Sequence, residues 1–339
     1  MYNFFISSQK GVVMHVLVTG GAGFIGSHLV AHHLERGDRV SVVDNLSTGS
    51  INNIQPFLHN PSFLFHQADI LVWDQLKEVV SEVERIYHMA AIVGVKKVLE
   101  DPRAVMATNI AAAERVFRAV AEVRPDAQVT IASSSEVYGF NTQNGFSETD
   151  DIVLRSGARL RWCYAVTKLA DEFLAYSFMY KSGIRVVIAR LFNTIGPRQR
   201  GKYGMVVPTF VHQAVNNQPI TIYGDGLQTR SFCDVRDTVV ALELLASSPA
   251  ANGEIVNVGN DQEISILELA ALVSKRAGSS SPLAFLSYKE AYGMEIDEIT
   301  HRRPILDKLH ELTGFEAKWL LPDTLDNLIS LERRRLETA

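Results

Sequence analysis

Short apolar runs and longer amphipathic stretches alternate along the first half of the chain. The apolar runs are rich in Val, Ile and Leu, which is typical of strands buried on both faces of a sheet. We expect six such strands: His15–Thr19, Arg39–Asp44, Phe63–Gln67, Arg85–Ala90, Gln128–Ser133 and Arg185–Leu191. Helical spacing between them predicts four helices: Ile25–Arg36, Asp74–Glu82, Pro102–Val123 and Tyr164–Lys181. This alternation indicates an α/β fold with a doubly wound parallel sheet.

The pattern becomes less regular after Arg190, where glycine- and proline-containing turn signals crowd together. Helical spacing recurs over Pro208–Val215, Thr238–Leu245 and Ile266–Arg276. We therefore expect a Rossmann domain over residues 14–192 and a smaller mixed α/β lobe over residues 193–339, with some segments of the second range returning to the sheet. The lobe should cover the carboxyl edge of the strands, where open α/β sheets bind their ligands.

Composition adds mainly exclusions. The chain has 339 residues and a net charge of −5, which gives no reason to expect nucleic acid or an anionic membrane as a partner. Its two cysteines, Cys163 and Cys233, rule out a disulfide framework, suggest no zinc site and fit a cytoplasmic protein. No apolar run approaches the ~20 residues that span a bilayer. We interpret residues 1–13 as an unstructured leader, or an upstream start ahead of Met14, rather than a signal peptide.

A glycine-rich turn joins the first predicted strand to the first predicted helix. Glycines fall at positions 20, 23 and 26. The first would permit a tight turn, the second would let the backbone approach a pyrophosphate, and the third would let the helix pack on the strand. The helix N-terminus would then present free N–H groups to phosphate. By itself this triplet also fits a plain strand–helix turn.

Acidic residues at two strand ends strengthen the dinucleotide interpretation. Asp44 ends the second strand, 18 residues after Gly26, where it can accept hydrogen bonds from both hydroxyls of an adenosine ribose. Because this carboxylate would repel a 2′-phosphate, it favours NAD over NADP. Asp69, after the third strand, could reach the adenine, or could simply cap the next turn.

Tyr164 and Lys168 are four residues apart at the start of a predicted helix, so both project from one face. A neighbouring ammonium group and a cationic nicotinamide would both favour the phenolate, which could then remove a hydroxyl proton while hydride leaves the same carbon. The preceding strand ends near Ser134, whose hydroxyl could share that proton.

Several motifs in chain order resemble the extended short-chain dehydrogenases that epimerise, dehydrate or decarboxylate nucleotide sugars. They cover nearly everything from Met14 onward and comprise Gly20–Gly26, Asp44–Gly49, His88–Ala91, Ser134–Gly139, Tyr164 with Lys168, Arg190–Arg198, Tyr223–Phe232 and His301–Pro304. The resemblance implies NAD as cofactor and a nucleotide sugar, with uridine as the favoured base, as substrate. It also implies a homodimer built on the helices Pro102–Val123 and Tyr164–Lys181, which could instead be buried within the subunit.

The resemblance assigns roles at the matching positions. The expected catalytic residues are Ser134, Glu136, Tyr164 and Lys168. Besides Tyr164 and Lys168, the expected cofactor contacts are Gly20, Gly23, Phe24, Ile25, Gly26, Asp44, Asn45, Ser47, Thr48, Gly49, Asp69, Ile70, Ala90, Ala91 and Asn109. Besides Ser134, the expected substrate contacts are Ser135, Asn193, Arg230 and Arg302, with Arg230 on the pyrophosphate.

The shared first step of these enzymes is oxidation of the sugar at C4, and the residue after the serines separates the branches. Glu136 follows Ser134 and Ser135 as in the uronic-acid decarboxylases, whereas simple 4-epimerases commonly have a small or neutral residue there. Ser135 stands where hexose 4,6-dehydratases commonly place an aspartate, although GDP-mannose dehydratases also use Ser-Glu.

Two basic segments bear on the same choice. Arg302 could hold the C6 carboxylate of a uronic acid or could be a second pyrophosphate ligand, as in epimerases. Residues 161–164 also resemble the decarboxylase domain that makes a 4-keto pentose, whereas other decarboxylases differ from this chain at residues 165–167. The sequence therefore favours UDP-glucuronic acid decarboxylation, with a UDP-sugar 4-epimerase, a 4,6-dehydratase and a non-catalytic NAD-binding sensor as alternatives. The Tyr164–Lys168 pair argues against the sensor.

Overall fold

A computed structural model describes residues 13–155, 160–201, 204–293 and 299–337 of the chain. The expected leader, residues 1–13, lies outside this part except for its last residue. Among the described residues, no helix is both long and apolar enough to cross a membrane.

A seven-stranded sheet, parallel throughout, forms the centre of the molecule. Its spatial order is β3-β2-β1-β4-β5-β6-β11, so the winding reverses between β1 and β4 and opens a crevice at their carboxyl ends. The strands are β1 (His15–Thr19), β2 (Arg39–Asp44), β3 (Phe63–Gln67), β4 (Arg85–His88), β5 (Gln128–Ser134), β6 (Arg185–Leu191) and β11 (Ile255–Val258).

Helices cover both faces of this sheet, which explains why its central strands are apolar on both sides. One face packs on Leu29, Leu242 and Leu309, which belong to α1 (Phe24–Glu35), α8 (Val235–Ser247) and α11 (Asp307–Thr313). The other face packs on α3 (Leu76–Glu82), α5 (Pro102–Val123) and α6 (Cys163–Ser182). Two short helices, α2 (Ile51–Ile54) and α4 (Val95–Glu100), follow β2 and β4.

A second apolar core lies in the C-terminal half. Its helices are α7 (Val206–Val215), α9 (Ile266–Ala277), α10 (Tyr288–Tyr292) and α12 (Leu321–Glu337), of which all but α10 contribute buried residues. Three two-stranded sheets accompany them: β7 (Thr194–Ile195) with β10 (Cys233–Asp234), β8 (Ile220–Tyr223) with β13 (Leu283–Leu286), and β9 (Thr229–Ser231) with β12 (Glu263–Ser265). Residues of this core and the carboxyl ends of the large sheet's strands line the same cavity, which is described below.

The predicted lobe of residues 193–339 is not a continuous unit. β11 pairs with β6 as an edge strand of the large sheet, and α8 and α11 pack on the face that carries α1. These are the returning segments that the sequence allowed for without locating them. The predicted strand Arg85–Ala90 ends at His88, because the chain turns into the crevice from Met89 onward.

Candidate active site

A cavity of about 550 Å³ runs along the carboxyl edge of the large sheet, from the glycine-rich turn to the second core. Two predicted site residues, Gly49 and Asn109, do not line it. The predicted residues that do line it are Gly20, Gly23, Phe24, Ile25, Gly26, Asp44, Asn45, Ser47, Thr48, Asp69, Ile70, Ala90, Ala91, Ser134, Ser135, Glu136, Tyr164, Lys168, Asn193, Arg230 and Arg302.

Close backbone packing explains the three glycines of the turn. A Cβ at Gly26 would lie 2.3 Å from the carbonyl oxygen of Gly20, and one at Gly20 would lie 2.8 Å from the backbone of Ala90. Gly20 also has a φ of +70°, which disfavours other residues. Helix α1 then begins at Phe24 with no side-chain cap and no acidic residue in its first turn. Its N-terminal amides therefore suit an anion such as a pyrophosphate.

Asp44 is built into the turn that it ends. Its Oδ2 accepts a hydrogen bond from the Ala22 N–H at 3.0 Å, and its Oδ1 accepts one from the Leu46 N–H at 2.8 Å. Burial raises the pKa of the Asp44 carboxyl above its ordinary value, although the hydrogen bonds from the two N–H groups offset part of that rise. A Cβ on Gly49 would lie 3.0 Å from both carboxylate oxygens, so Gly49 makes room for Asp44 rather than lining the cavity. Each oxygen has a further lone pair for a ribose hydroxyl.

Asp69 caps the turn that follows β3 and also lines the cavity. Its Oδ1 accepts from the Leu71 N–H at 2.9 Å, which is the capping role, and its Oδ2 accepts from the Asn45 side chain at 3.2 Å. Both Asn45 and Asp69 also line the cavity. The pair thus links the ends of β2 and β3 at the cavity wall.

Asn109 acts from behind the cavity wall. The side chain is 1% exposed, accepts from the Ile92 N–H at 2.8 Å and donates to the Ile92 carbonyl and the Thr167 hydroxyl at 3.2 Å. The sequence expectation of a cofactor contact differs from this placement. Asn109 instead ties the loop after β4 to helix α6, which carries Tyr164.

Tyr164 and Lys168 project into the cavity from the first turns of α6, and Ser134 faces them from the end of β5. Burial raises the pKa of Tyr164 above its ordinary value, although Lys168 and a hydrogen bond with Ser134 oppose that shift. The sequence expectation emphasised the ammonium group and omitted burial. In the protein alone, the tyrosine is therefore protonated at neutral pH.

Two acidic residues of α6, which the sequence analysis missed, surround Lys168. Asp171 Oδ2 lies 3.1 Å from the Lys168 Nζ, and both side chains are buried. Burial works against the charge of Lys168, but Asp171, Tyr164 and Glu172 together outweigh burial and raise the pKa of the lysine. Glu172 pairs with Arg190 at 2.7 Å and accepts from Ser133 at 2.5 Å. Carboxylates three and four residues after Lys168 were the available signal.

Glu136 lies between two arginines. Its Oε1 is 2.7 Å from Arg302 Nη2, and its Oε2 is 3.3 Å from Arg161 Nη2. Burial would raise the pKa of Glu136, but Arg302, Arg161 and then Arg230 lower it to about 2. Arg161 is 8% exposed and lines the cavity, although the sequence analysis noted it only as part of a motif. The carboxylate is therefore ionised at any physiological pH.

The remaining predicted substrate residues line the cavity on either side of this cluster. Ser135 is buried at the start of a short 3₁₀ turn, Ser135–Tyr138. Asn193 donates to the Ser231 carbonyl at 3.1 Å, which ties the end of β6 to β9. Arg230, on β9, is 8% exposed and donates to the Thr229 carbonyl at 2.6 Å.

Comparison with known proteins agrees with this geometry. The family model described as the NAD dependent epimerase/dehydratase family matches residues 16–259, and the chain belongs to this family. It is accordingly an enzyme, and its cofactor is NAD. The uncapped helix α1 and the crowded glycine turn fit the pyrophosphate of such a cofactor, and Asp44 fits its ribose.

Individual relatives narrow the comparison. The UDP-N-acetyl-alpha-D-glucosaminuronate decarboxylase of Bacillus cytotoxicus is 36% identical over 300 residues, covering 88% of this chain and 91% of that protein. UDP-glucuronic acid decarboxylase 4 of Arabidopsis thaliana is 35% identical, covering 96% of this chain and 70% of that protein. The UDP-glucuronic acid 4-epimerase of Bacillus cereus, crystallised with UDP-glucuronic acid and NAD, has a TM-score of 0.85 at 29% identity, covering 95% of this chain and 100% of that one.

Proposed function

We propose that this enzyme decarboxylates a UDP-linked uronic acid, with UDP-glucuronic acid as the substrate to test first. The observation that carries the proposal is the arginine pair around Glu136, in the same cavity as Tyr164 and Lys168. Arg302 is 7% exposed, and its Nε–H has no hydrogen-bond partner among the described residues. A guanidinium group carries five donors, so Arg302 retains capacity for a second carboxylate.

The two sequence relatives support the same reaction class, and the structural relative supports the same type of substrate. Both sequence relatives described above act, by their names, on nucleotide-linked uronic acids as decarboxylases. The structural relative was crystallised with the same type of nucleotide-linked uronic acid. A 6-carboxylate on the sugar is therefore common to all three, and the arginine pair offers a means of recognising it.

The cofactor residues are assigned by the same proposal. Residues Gly20–Gly26 would hold the pyrophosphate, Asp44 the adenosine ribose, and Asn45 with Asp69 the adenine end. Tyr164 and Lys168 would lie at the nicotinamide end of the cavity. When bound, NAD supplies a reversible hydride acceptor for C4 of the sugar.

Three side chains move or hold the proton at the C4 oxygen. With NAD bound, the pKa of Tyr164 would be lowered by the positive nicotinamide ring, so that the tyrosine releases its proton to solvent. The phenolate then takes the proton of the C4 hydroxyl, and Ser134 shares that proton by hydrogen bonding. Lys168 provides the positive charge that stabilises the phenolate before it takes the proton, with Asp171 fixing the position of the lysine. A protonated Tyr164 then donates a hydrogen bond to the C4 ketone oxygen.

Arg302 and Glu136 act near C5 and the C6 carboxylate of the sugar. The C4 ketone makes the C6 carboxylate a β-keto acid, so the C5–C6 bond breaks, CO₂ leaves, and the electron pair moves to the C4 oxygen as an enolate. Tyr164 and Ser134 stabilise that oxygen. A proton from solvent water then replaces CO₂ at C5. The product leaves as the 4-ketone, or the C4 carbon takes back the hydride that the cofactor would hold while Tyr164 returns its proton to the C4 oxygen. Because the pKa of Glu136 is about 2, we assign it an orienting role and not that of the proton donor.

The leading alternative is 4-epimerisation of the same uronic acid. The likeness to the Bacillus cereus epimerase favours it, and Arg302 could then hold the carboxylate without promoting its loss. Incubation of the enzyme with NAD and either UDP-glucuronic acid or UDP-glucose, followed by chromatography coupled to mass spectrometry, separates the reactions, because chromatography resolves an epimer that has the mass of the substrate. Loss of CO₂, with or without a further two hydrogens, supports decarboxylation. An isobaric product means epimerisation, and turnover of UDP-glucose alone rejects a uronic acid substrate.

We also propose that the enzyme is a homodimer joined through α5 and α6. These helices pack against each other, and the outer side of α6 exposes 68% of Phe173 and 85% of Tyr180. Large exposed aromatic side chains on one helix are typical of an interaction surface. Sedimentation of the protein and of a Phe173→Glu, Tyr180→Glu variant tests this, with a monomeric mass for the variant as the expected result.

A further inference from the structure

The two oxygens of Glu136 are divided between arginines from different parts of the chain. Arg302 comes from the segment after α10, whereas Arg161 lies in the 3₁₀ turn Leu160–Trp162, directly before α6. Both guanidinium groups are more than nine-tenths buried, and the Glu136 side chain is 17% exposed. The contact with Arg302 is the shorter one, at 2.7 Å against 3.3 Å.

The proposed function creates competition for Arg302. If this guanidinium also receives the carboxylate of the sugar through its remaining donors, its single positive charge serves both that group and Glu136. Two carboxylates next to one another repel, and burial strengthens the repulsion. Without a second cation, Glu136 would take up a proton or swing away from the sugar. Arg161 already contacts the oxygen that Arg302 leaves free.

We propose that Arg161 is a positioning residue that retains Glu136 in place, and ionised, when Arg302 also binds the carboxylate of the substrate. This inference rests on the proposed function and deepens it, since it names how the site admits a second carboxylate. It also gives a criterion for substrate class. A neutral sugar brings no second carboxylate to Arg302, so the contact between Arg161 and Glu136 should matter for nucleotide sugars that carry a carboxylate at C6 and not for neutral ones.

The charges around Glu136 define the test. Arg302, Arg161 and Arg230 face Glu136 as cations. Tyr164 is the other titratable group near Glu136 in the cavity, and it is uncharged while protonated. With Arg161 present, Glu136 should remain ionised in the complex with substrate. When Arg161 is replaced by Met, one cation is lost just as a second anion arrives. Binding of the substrate should then be accompanied by uptake of a proton on Glu136.

The experiment uses full-length, NAD-loaded protein carrying Tyr164→Phe, so that the sugar binds without turnover. UDP-glucuronic acid is titrated calorimetrically at pH ~5.5, about one unit above an ordinary glutamic acid, in two buffers of different ionisation enthalpy. We expect no net proton uptake in this parent, about half to one proton with Arg161→Met added, and a return towards zero with Arg161→Lys. Because lysine keeps the charge, Arg161→Lys remains informative even where Arg161→Met folds poorly.

Kinetics in the active enzyme supply the second readout. Arg161→Met should lower kcat by about 10- to 100-fold and change KM less than about 3-fold, since the lost contact orients a catalytic group. Equal proton uptake with and without Arg161 overturns the inference and leaves the proposed function intact. A raised KM with unchanged kcat also overturns it, because Arg161 would then bind substrate directly. If the parent does not bind UDP-glucuronic acid at all, the proposed function fails and the inference fails with it.

Discussion

The Nζ of Lys168 lies 3.1 Å from the Oδ2 of Asp171, one turn further along the helix that carries Tyr164. Both side chains are almost completely buried. The positive charge usually credited with activating the tyrosine is therefore balanced locally. Asp171 itself contributes to the raised pKa of Tyr164, after burial and Glu136.

This pairing predicts how Asp171→Asn alters the dependence of rate on pH. Removing the anion should lower the pKa of Tyr164, so the limb of the kcat profile that reports this group should move to lower pH by about 1 unit. Asparagine still accepts a hydrogen bond from Lys168, which keeps its position. A profile with an unmoved limb would contradict the coupling between Asp171 and Tyr164.

Tyr164→Phe should lower turnover by at least the ~100-fold typical of losing a general base, while the phenyl ring preserves packing. NAD binding should persist, and calorimetric titration with NAD checks it. Turnover close to that of the parent would show that another group takes the C4 proton. Tyr176→Phe is a suitable control, because Tyr176 lies on the same helix, is 40% exposed and does not line the cavity.

Asp44→Asn should weaken NAD binding by about 10-fold, because charged hydrogen bonds to the ribose are lost. It should also narrow the difference in affinity between NAD and NADP, because the repulsion of a 2′-phosphate is lost as well. Some loss of stability should accompany it, since one of the Ala22 and Leu46 amides loses its acceptor. Titration with both cofactors measures the gap. Asp69→Asn, at the adenine end, should leave the NAD-to-NADP ratio unchanged, and equal ratios in all three proteins would exclude Asp44 as the selector.

Arg302→Met should raise the KM for UDP-glucuronic acid by about 10- to 100-fold, since a charged, buried contact with the substrate carboxylate is removed. The neighbouring Arg303 is a matched control. It does not line the cavity and is bonded to the Asn144 carbonyl at 3.0 Å. Arg303→Met should therefore leave KM unchanged, and an equal rise in both variants would point to a general disturbance of the segment.

Glu243 predicts where the fold loses stability in acid. Burial would raise its pKa, but Arg85 at 2.6 Å, then His33 and Tyr87, lower it from 4.5 to about 2. A carboxyl whose folded-state pKa is depressed stabilises the fold above its unfolded value and loses that contribution as pH falls. We expect about 3 kcal/mol to disappear between pH 4.5 and about 2.

Chemical denaturation across that pH window measures the effect. Glu243→Gln should destabilise the enzyme at neutral pH by about 3 kcal/mol or more, because Arg85 is left buried without its partner. The variant should also show a shallower decline in acid. Glu114→Gln breaks only the exposed pair with Arg118 and should change neither property.

The local sequence pattern predicted most strands of the large sheet, because these strands are apolar runs that can be recognised without knowing their distant contacts. The helix α12 was missed, although Leu321, Leu325 and Leu328 follow helical spacing. β11 could not be placed from the sequence. Four residues fit the sheet edge only because β6 offers an open partner there.

The residues of the candidate site likewise fall into those that a local sequence pattern predicts and those that depend on the assembled structure. Gly20 and Asp44 follow from the strand ends on which they lie, and Tyr164 with Lys168 follows from helical spacing. The contact between Arg161 and Glu136 depends on how two loops approach one another, which no local pattern encodes. The raised pKa of Tyr164 likewise depends on burial that only the assembled structure provides.

The segment that carries Arg302 is joined to a distant loop by two backbone hydrogen bonds, from the Phe146 N–H to the Arg303 carbonyl and from the Ile305 N–H to the Phe146 carbonyl, each of 2.8 Å. Asn257, on the edge strand β11, donates to the carbonyls of Phe146 and Ile305. Redesign of a related scaffold would therefore have to transplant these three pieces together. An arginine introduced alone would lack the hydrogen bonds that hold its backbone segment in position. The engineered enzyme would then gain a positive charge without gaining a binding site for a carboxylate.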